Sequence, residues 1–127
     1  MPLERTSSPF EKDIGLRFYC TSTPGVGGRI RHRVEDFTVE EITKEGLTVN
    51  SNLETINRGD GRYSLAILTK AGRDTLPTMQ LVGRSLGARV SYAGIKDRRA
   101  VTSQLVSIDR RLGQDDLALS ISNVSLR

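Results

Sequence analysis

Between Arg29 and Ile42 polar and apolar residues alternate, so that Phe37, Val39 and Glu41 share one face of an extended segment and Thr38, Glu40 and Ile42 the other. The pattern predicts a strand with neither face wholly core. Two short runs rich in β-formers, Leu47 to Val49 and Tyr63 to Thr69, predict a second strand pair; turn residues at Glu45-Gly46 and Asn57-Arg58-Gly59-Asp60-Gly61 set them off. In Asp74-Thr75-Leu76-Pro77 a polar cap precedes a proline suited to a first helical turn. Leu81, Val82 and Leu86 then recur at near-helical spacing and Gly87 supplies a stop, which predicts a helix over 77–86. Val90 to Ala93 predicts a short strand entering a tight turn at Gly94 to Arg99. Val101 to Ile108 predicts a longer strand, and the alternation from Leu117 to Val124 a last one. Residues 1–28 read as a loop lead-in around one apolar stretch, Ile14 to Tyr19. The expected class is α+β, a mainly antiparallel sheet with few helices, without internal repeat or evident domain boundary.

A chain of 127 residues fits one ordinary domain. At 36% hydrophobic and 27% charged it is lean in apolar content yet able to fold, with faces left for a partner to cover. Nineteen Lys and Arg against fifteen Asp and Glu leave +4, too small an excess to name a partner. Clustering is more informative. Arg29, Arg31, His32 and Arg33 form one basic group, Lys96, Arg98 and Arg99 a second, and Arg110 with Arg111 a third. Such groups suit phosphate contacts, and they suit solvated strand and turn faces as well. Cys20 is the single cysteine, which excludes an intrachain disulfide and a cysteine zinc site and points to a reducing compartment. His32 is the single histidine, so neither a multi-histidine metal site nor a Ser-His-Asp triad with a spare proton carrier is expected. The first residues lack a basic segment followed by an apolar one, and no apolar run approaches spanning length. A soluble cytoplasmic protein without metal or membrane partner is the expectation. The run Gly25-Val26-Gly27-Gly28 lacks the Gly-Lys-Ser/Thr ending of a phosphate loop and no helical pattern follows it.

One segment stands out: Tyr92-Ala93-Gly94-Ile95-Lys96-Asp97-Arg98-Arg99-Ala100-Val101-Thr102-Ser103-Gln104. Positive neighbours favour the ionised form of Asp97, and Gly94 permits a turn that presents it at a strand end. Taken alone, these residues also describe a charged surface turn that Asp97 merely caps. The spacing of Gly94, Lys96-Asp97, Ala100, Thr102 and Gln104 resembles the signature of the TruD family of pseudouridine synthases. A second stretch, Ile30-Arg31-His32-Arg33-Val34-Glu35-Asp36-Phe37-Thr38-Val39-Glu40-Glu41, resembles that family's earlier motif of a basic residue, Glu-Asp-Phe, then Val and Glu. Two motifs in the right order are far more specific than one. Arg31 stands where the family commonly has Lys and Val34 where Pro is common.

The resemblance implies isomerisation of a uridine in tRNA, in which the glycosidic bond breaks, the uracil turns over and C5 joins C1′, with no cofactor. It implies Asp97 as the catalytic carboxylate, which could stabilise charge at C1′, attack that carbon or remove a sugar proton. Arg31, Phe37, Lys96, Arg98 and Arg99 are the expected RNA-binding residues: Arg31 and Lys96 on phosphate or orienting the carboxylate, Phe37 near a flipped base. Glu41, Gly94, Thr102 and Gln104 are expected to support them. Family members run to several hundred residues and carry a later Asn-x-Phe-Gly motif that this chain lacks. The 127 residues are therefore expected to be the N-terminal part of a catalytic domain, without its remainder or the family's insertion domain, inactive alone and prone to self-association. The competing expectation is a non-catalytic RNA-binding or interaction module.

Overall fold

A computed structural model describes residues 5–53 and 59–127. In chain order the elements are α1 (Pro9–Asp13), a 3-10 turn (Val34–Asp36), β1 (Thr38–Ile42), β2 (Thr48–Val49), β3 (Ser64–Ala71), α2 (Thr75–Leu86), β4 (Val90–Tyr92), β5 (Val101–Ile108), a second 3-10 turn (Asp115–Leu117) and β6 (Val124–Leu126). The strands form one six-stranded sheet with the path β2-β1-β5-β3-β6. β5 is its hub. Along one edge it pairs antiparallel with the whole of β3, from Ala71↔Val101 to Ser64↔Ile108. Two strands divide its other edge: β1 runs parallel to the first residues, Thr38↔Val101 to Glu40↔Ser103, and β4 antiparallel to the last, Tyr92↔Val106 to Val90↔Ile108.

The mixed class with a mainly antiparallel sheet and few helices is the observed one, and Val101 to Ile108 has the bounds the alternation predicts. Three assignments differ. The strand expected over 29–42 begins only at Thr38, because Asp36 accepts the Arg33 N–H through its side chain at 2.8 Å and tightens residues 34–36 into a 3-10 turn. The runs at 47–49 and 63–69 do not pair with each other: β2 pairs with β1, and β3 lies between β5 and β6. The alternation at 117–124 leads into its strand only at Val124, after the 3-10 turn that Asp116 caps by accepting the Gly113 N–H at 2.8 Å. The lead-in is mostly irregular but holds α1, capped by Ser8, and a bridge from Arg5 to Phe18. Asn57 and Arg58 of the predicted turn, like Met1 to Glu4, lie outside the described residues.

α2 starts at Thr75, two residues before the expected 77, and ends where Gly87 turns left-handed at φ 58°. Its buried residues, Thr75, Thr78, Met79, Val82 and Leu86, recur at helical spacing. Met79, Val82 and Leu86 close one core with Ala66 and Leu68 of β3, Val106 and Ile108 of β5, and Val124 and Leu126 of β6. Cross-strand pairs on the core face of β3 and β5 grade along the sheet: Ala66↔Val106 is apolar, Leu68↔Gln104 is mixed and Lys70↔Thr102 is polar. All four residues of the last two pairs are fully buried. The polar end of this core is the end at which β5 begins, next to the turn that carries Asp97. Among the described residues no helix is long and apolar enough to cross a membrane.

Candidate active site

Asp97 stands on the irregular segment between β4 and β5, its side chain half exposed. Its carboxylate Oδ1 lies 3.4 Å from Nη1 of Arg31, sixty-six residues earlier. The Arg31 guanidinium lies over the Phe37 ring, with Cζ 3.9 Å from the centroid, a cation–π contact that fixes its plane. The Arg31 backbone takes a left-handed φ of 52°, unusual for a residue with a Cβ, and its carbonyl accepts a hydrogen bond from Nη2 of Arg99 at 3.0 Å. Arg99 thus bridges the Asp97 turn back to the first motif. Both motifs therefore meet at one end of the sheet.

Lys96 points elsewhere. Its ammonium donates to the Ala93 carbonyl at 2.9 Å and pairs with Oε1 of Glu41 at 3.4 Å, both side chains mostly buried. The other carboxylate oxygen of Glu41 accepts the main-chain N–H of Leu105 at 2.9 Å. Leu105 lies on β5 between the stretch paired with β1 and the stretch paired with β4, so the carboxylate substitutes for an absent strand partner. Gly94 turns the chain at φ 78°, and its carbonyl accepts from the Gln104 amide at 3.4 Å. Thr102 is buried beneath the turn. Its hydroxyl and the amide oxygen of Gln104 have no protein partner among the described residues. Arg98 reaches outward to Asp74 at 3.7 Å, a pair exposed on both sides and worth little to stability.

Two residues that the sequence reading did not select hold this turn. Lys70 of β3 is fully buried, and its ammonium donates to the Asp97 carbonyl at 2.8 Å and to the Lys96 carbonyl at 3.5 Å. Burial pushes its pKa below the ordinary lysine value, against the pull of the Asp74 and Asp97 carboxylates, and nearby Lys96 adds to the lowering. Thr75, the first residue of α2, accepts the Lys96 N–H and donates to the Lys96 carbonyl, each at 3.0 Å. A period-two signal was present, since Ala66, Leu68 and Lys70 share a face, and a lysine on an otherwise apolar face needs a partner. A groove of about 630 Å³ lies elsewhere, lined by α2 and β4 through Leu76, Met79, Gly83, Ala88, Val90 and Tyr92; none of the residues around Asp97 contributes to it.

The family model for tRNA pseudouridine synthase D (TruD) matches residues 13–127, a span that contains both motifs and every residue of this cluster. The chain belongs to the TruD family. Relatives named probable tRNA pseudouridine synthase D occur in Pyrobaculum islandicum, 39% identical over 79% of this chain and 25% of that protein, and in Methanosarcina acetivorans, 43% identical over 77% and 21%. A crystal structure of TruD from Methanosarcina mazei superposes with a TM-score of 0.70 at 33% identity, over 91% of this chain and 25% of that one. The chain thus spans about a quarter of the length of the TruD proteins it matches.

Proposed function

We propose that this segment supplies the catalytic carboxylate of a tRNA pseudouridine synthase, with Asp97 acting on the sugar of a flipped uridine. The observation that carries the reading is the Arg31–Asp97 pair over Phe37, built from both family motifs and left half open to solvent. In the reaction the N1–C1′ bond breaks, C5 bonds to C1′ and the proton on C5 is lost while N1 gains one, so atoms balance without a cofactor. A carboxylate held beside C1′ stabilises charge there, bonds to that carbon or takes a sugar proton. Arg31 orients the carboxylate and offers its remaining donors to phosphate. Arg98 and Arg99 extend the positive surface, while Lys96, tied to Glu41 and Ala93, serves the turn. Phe37 is half-buried and has Arg31 over its ring, so it reaches the base through the edge of the site.

The partner is tRNA and the setting cytoplasmic. The 127 residues form the N-terminal part of the catalytic domain, and they do not turn over by themselves, because a flipped base must be gripped from more than one side. The experiment compares this segment alone with a family-length polypeptide that carries it, in wild-type, Asp97→Asn and Arg31→Ala forms. Asp97→Asn should abolish pseudouridine formation with tRNA affinity little changed. Arg31→Ala should weaken binding and make its salt dependence shallower by about one unit of slope. Activity retained in Asp97→Asn refutes the assignment, and tRNA binding without turnover in the wild-type long polypeptide favours the non-catalytic module. Turnover by the isolated segment at a comparable rate shows that it is a complete site.

A further inference from the structure

Among the described residues, no main-chain group of residues 94–99 bonds another main-chain group; side chains hold the segment. Gln104 holds its start through the Gly94 carbonyl, and the two buried anchors of residues 96 and 97 are Lys70 and Thr75, both at most 1% exposed. The Lys70 ammonium reaches the carbonyls of Lys96 and Asp97, and the Thr75 hydroxyl takes both the N–H and the carbonyl of Lys96. The peptide units on either side of Lys96, and the carbonyl of Asp97 itself, are thereby tied to β3 and to the first turn of α2. Neither anchor bonds the Asp97 carboxylate. A buried ammonium is a costly way to fill a core, since an apolar side chain of similar volume often serves folding equally well. Three hydrogen-bond donors on a rigid strand, however, specify backbone position as no apolar group does.

We propose that Lys70 and Thr75 are positioning residues of the synthase, fixing the height and direction at which the Asp97 carboxylate meets the sugar. This rests on the reading of Asp97 as the reacting group. Misplacement by about 1 Å costs on the order of 10²-fold in rate, while substrate affinity is carried by cationic groups elsewhere. Loss of either anchor therefore lowers kcat and leaves KM nearly alone.

The test uses Lys70→Met and Thr75→Val, two substitutions close in volume, in a family-length synthase that carries this segment and forms pseudouridine before substitution. Lys70→Met is expected to lose about 100-fold in kcat and Thr75→Val about tenfold, each with KM and tRNA Kd within about twofold. Amide exchange over residues 94–99 should accelerate while that of α2 and β5 does not. A kcat within about threefold of wild type in both variants overturns the inference, and so does a kcat loss that follows the unfolded fraction. If Lys70→Met fails to fold, Thr75→Val decides on the same criteria. Asp97→Asn is run beside them: if it is active, the Asp97 reading falls and this inference with it. If it is inactive while both anchor variants stay fully active, only the positioning role is refuted.

Discussion

Glu41 offers a measurement of how the sheet carries the candidate site. Its carboxylate accepts the Leu105 N–H at 2.9 Å and pairs with Lys96 at 3.4 Å, and the two side chains of the pair are 22% and 16% exposed. Glu41→Ala leaves a sheet N–H without its acceptor, which costs about 1–3 kcal/mol, and removes an ion pair worth up to about 1 kcal/mol. The sum is roughly 1–4 kcal/mol, or about 10 °C in melting temperature at mid-range for a chain of this length. Glu41→Gln retains an oxygen for Leu105 and loses only the charge, so its cost stays near or below about 1 kcal/mol. Urea unfolding of the 127-residue chain with an unchanged m-value gives the numbers, and amide exchange at Leu105 locates the effect. If Glu41→Ala falls within about 0.5 kcal/mol of wild type, or if Gln is as damaging as Ala, the carboxylate is not acting as the missing strand partner.

Gly83→Ala, a change that favours a helix interior by about 1 kcal/mol, should here destabilise by about 1–3 kcal/mol. Its Cβ would stand 2.8 Å from the Ala88 carbonyl where the chain folds back over the end of α2; a neutral or stabilising result in thermal unfolding refutes that close approach. Lys70 makes a prediction about pH. Its folded-state pKa lies below the ordinary 10.5, so between those two values the unfolded chain holds more protons and stability rises with pH. Asp74, Asp97 and Lys96 are the charged groups that act on it. Measured against Lys70→Met, wild type should gain stability as pH is raised through that window, with a constant difference below it. A difference that stays flat up to pH 10.5 contradicts the burial of a charged ammonium.

The strand over Val101–Ile108 and the helix stop at Gly87 were legible because local pattern and tertiary demand agree there: β-formers pack between two neighbours, and a glycine supplies φ 58°. The 3-10 turn at Val34–Asp36 was not, because the alternation through Phe37 continues past the point where the Asp36 side chain captures a backbone donor. The two halves of the candidate site could be named from their motifs. What joins them could not. Lys70 lies in an apolar run and Thr75 in a helix start, and each becomes conspicuous only when strand register and helix placement put it under the Asp97 turn. Asp74 shows the reverse case: it occupies the N-cap position that its sequence suggests, but its carboxylate makes no capping bond and faces Arg98.

The one parallel pairing among the described residues explains why positions so far apart in the chain share a site. Because β1 and β5 run the same way with Thr38 opposite Val101, the segments that lead into them emerge at the same end of the sheet. Arg31 to Phe37 leads into one and Asp97 to Ala100 into the other; the Val101 N–H donates to the Phe37 carbonyl at 3.0 Å as the ladder begins. An antiparallel β1 on the same three residues of β5 would bring the first motif in from the Gln104 side, about 10 Å along the strand at the usual rise per residue. β3 runs the other way, so it finishes where β5 starts, with Ala71 opposite Val101, and α2 opens four residues later. The end of β3 and the start of α2 thus deliver Lys70 and Thr75 to the same place. Because the side-chain period of a strand is two, a slip of one residue between β3 and β5 would turn Lys70 away from the Asp97 carbonyl and bury Thr69 in its stead. Register, more than any one contact, determines whether the carboxylate has a floor beneath it.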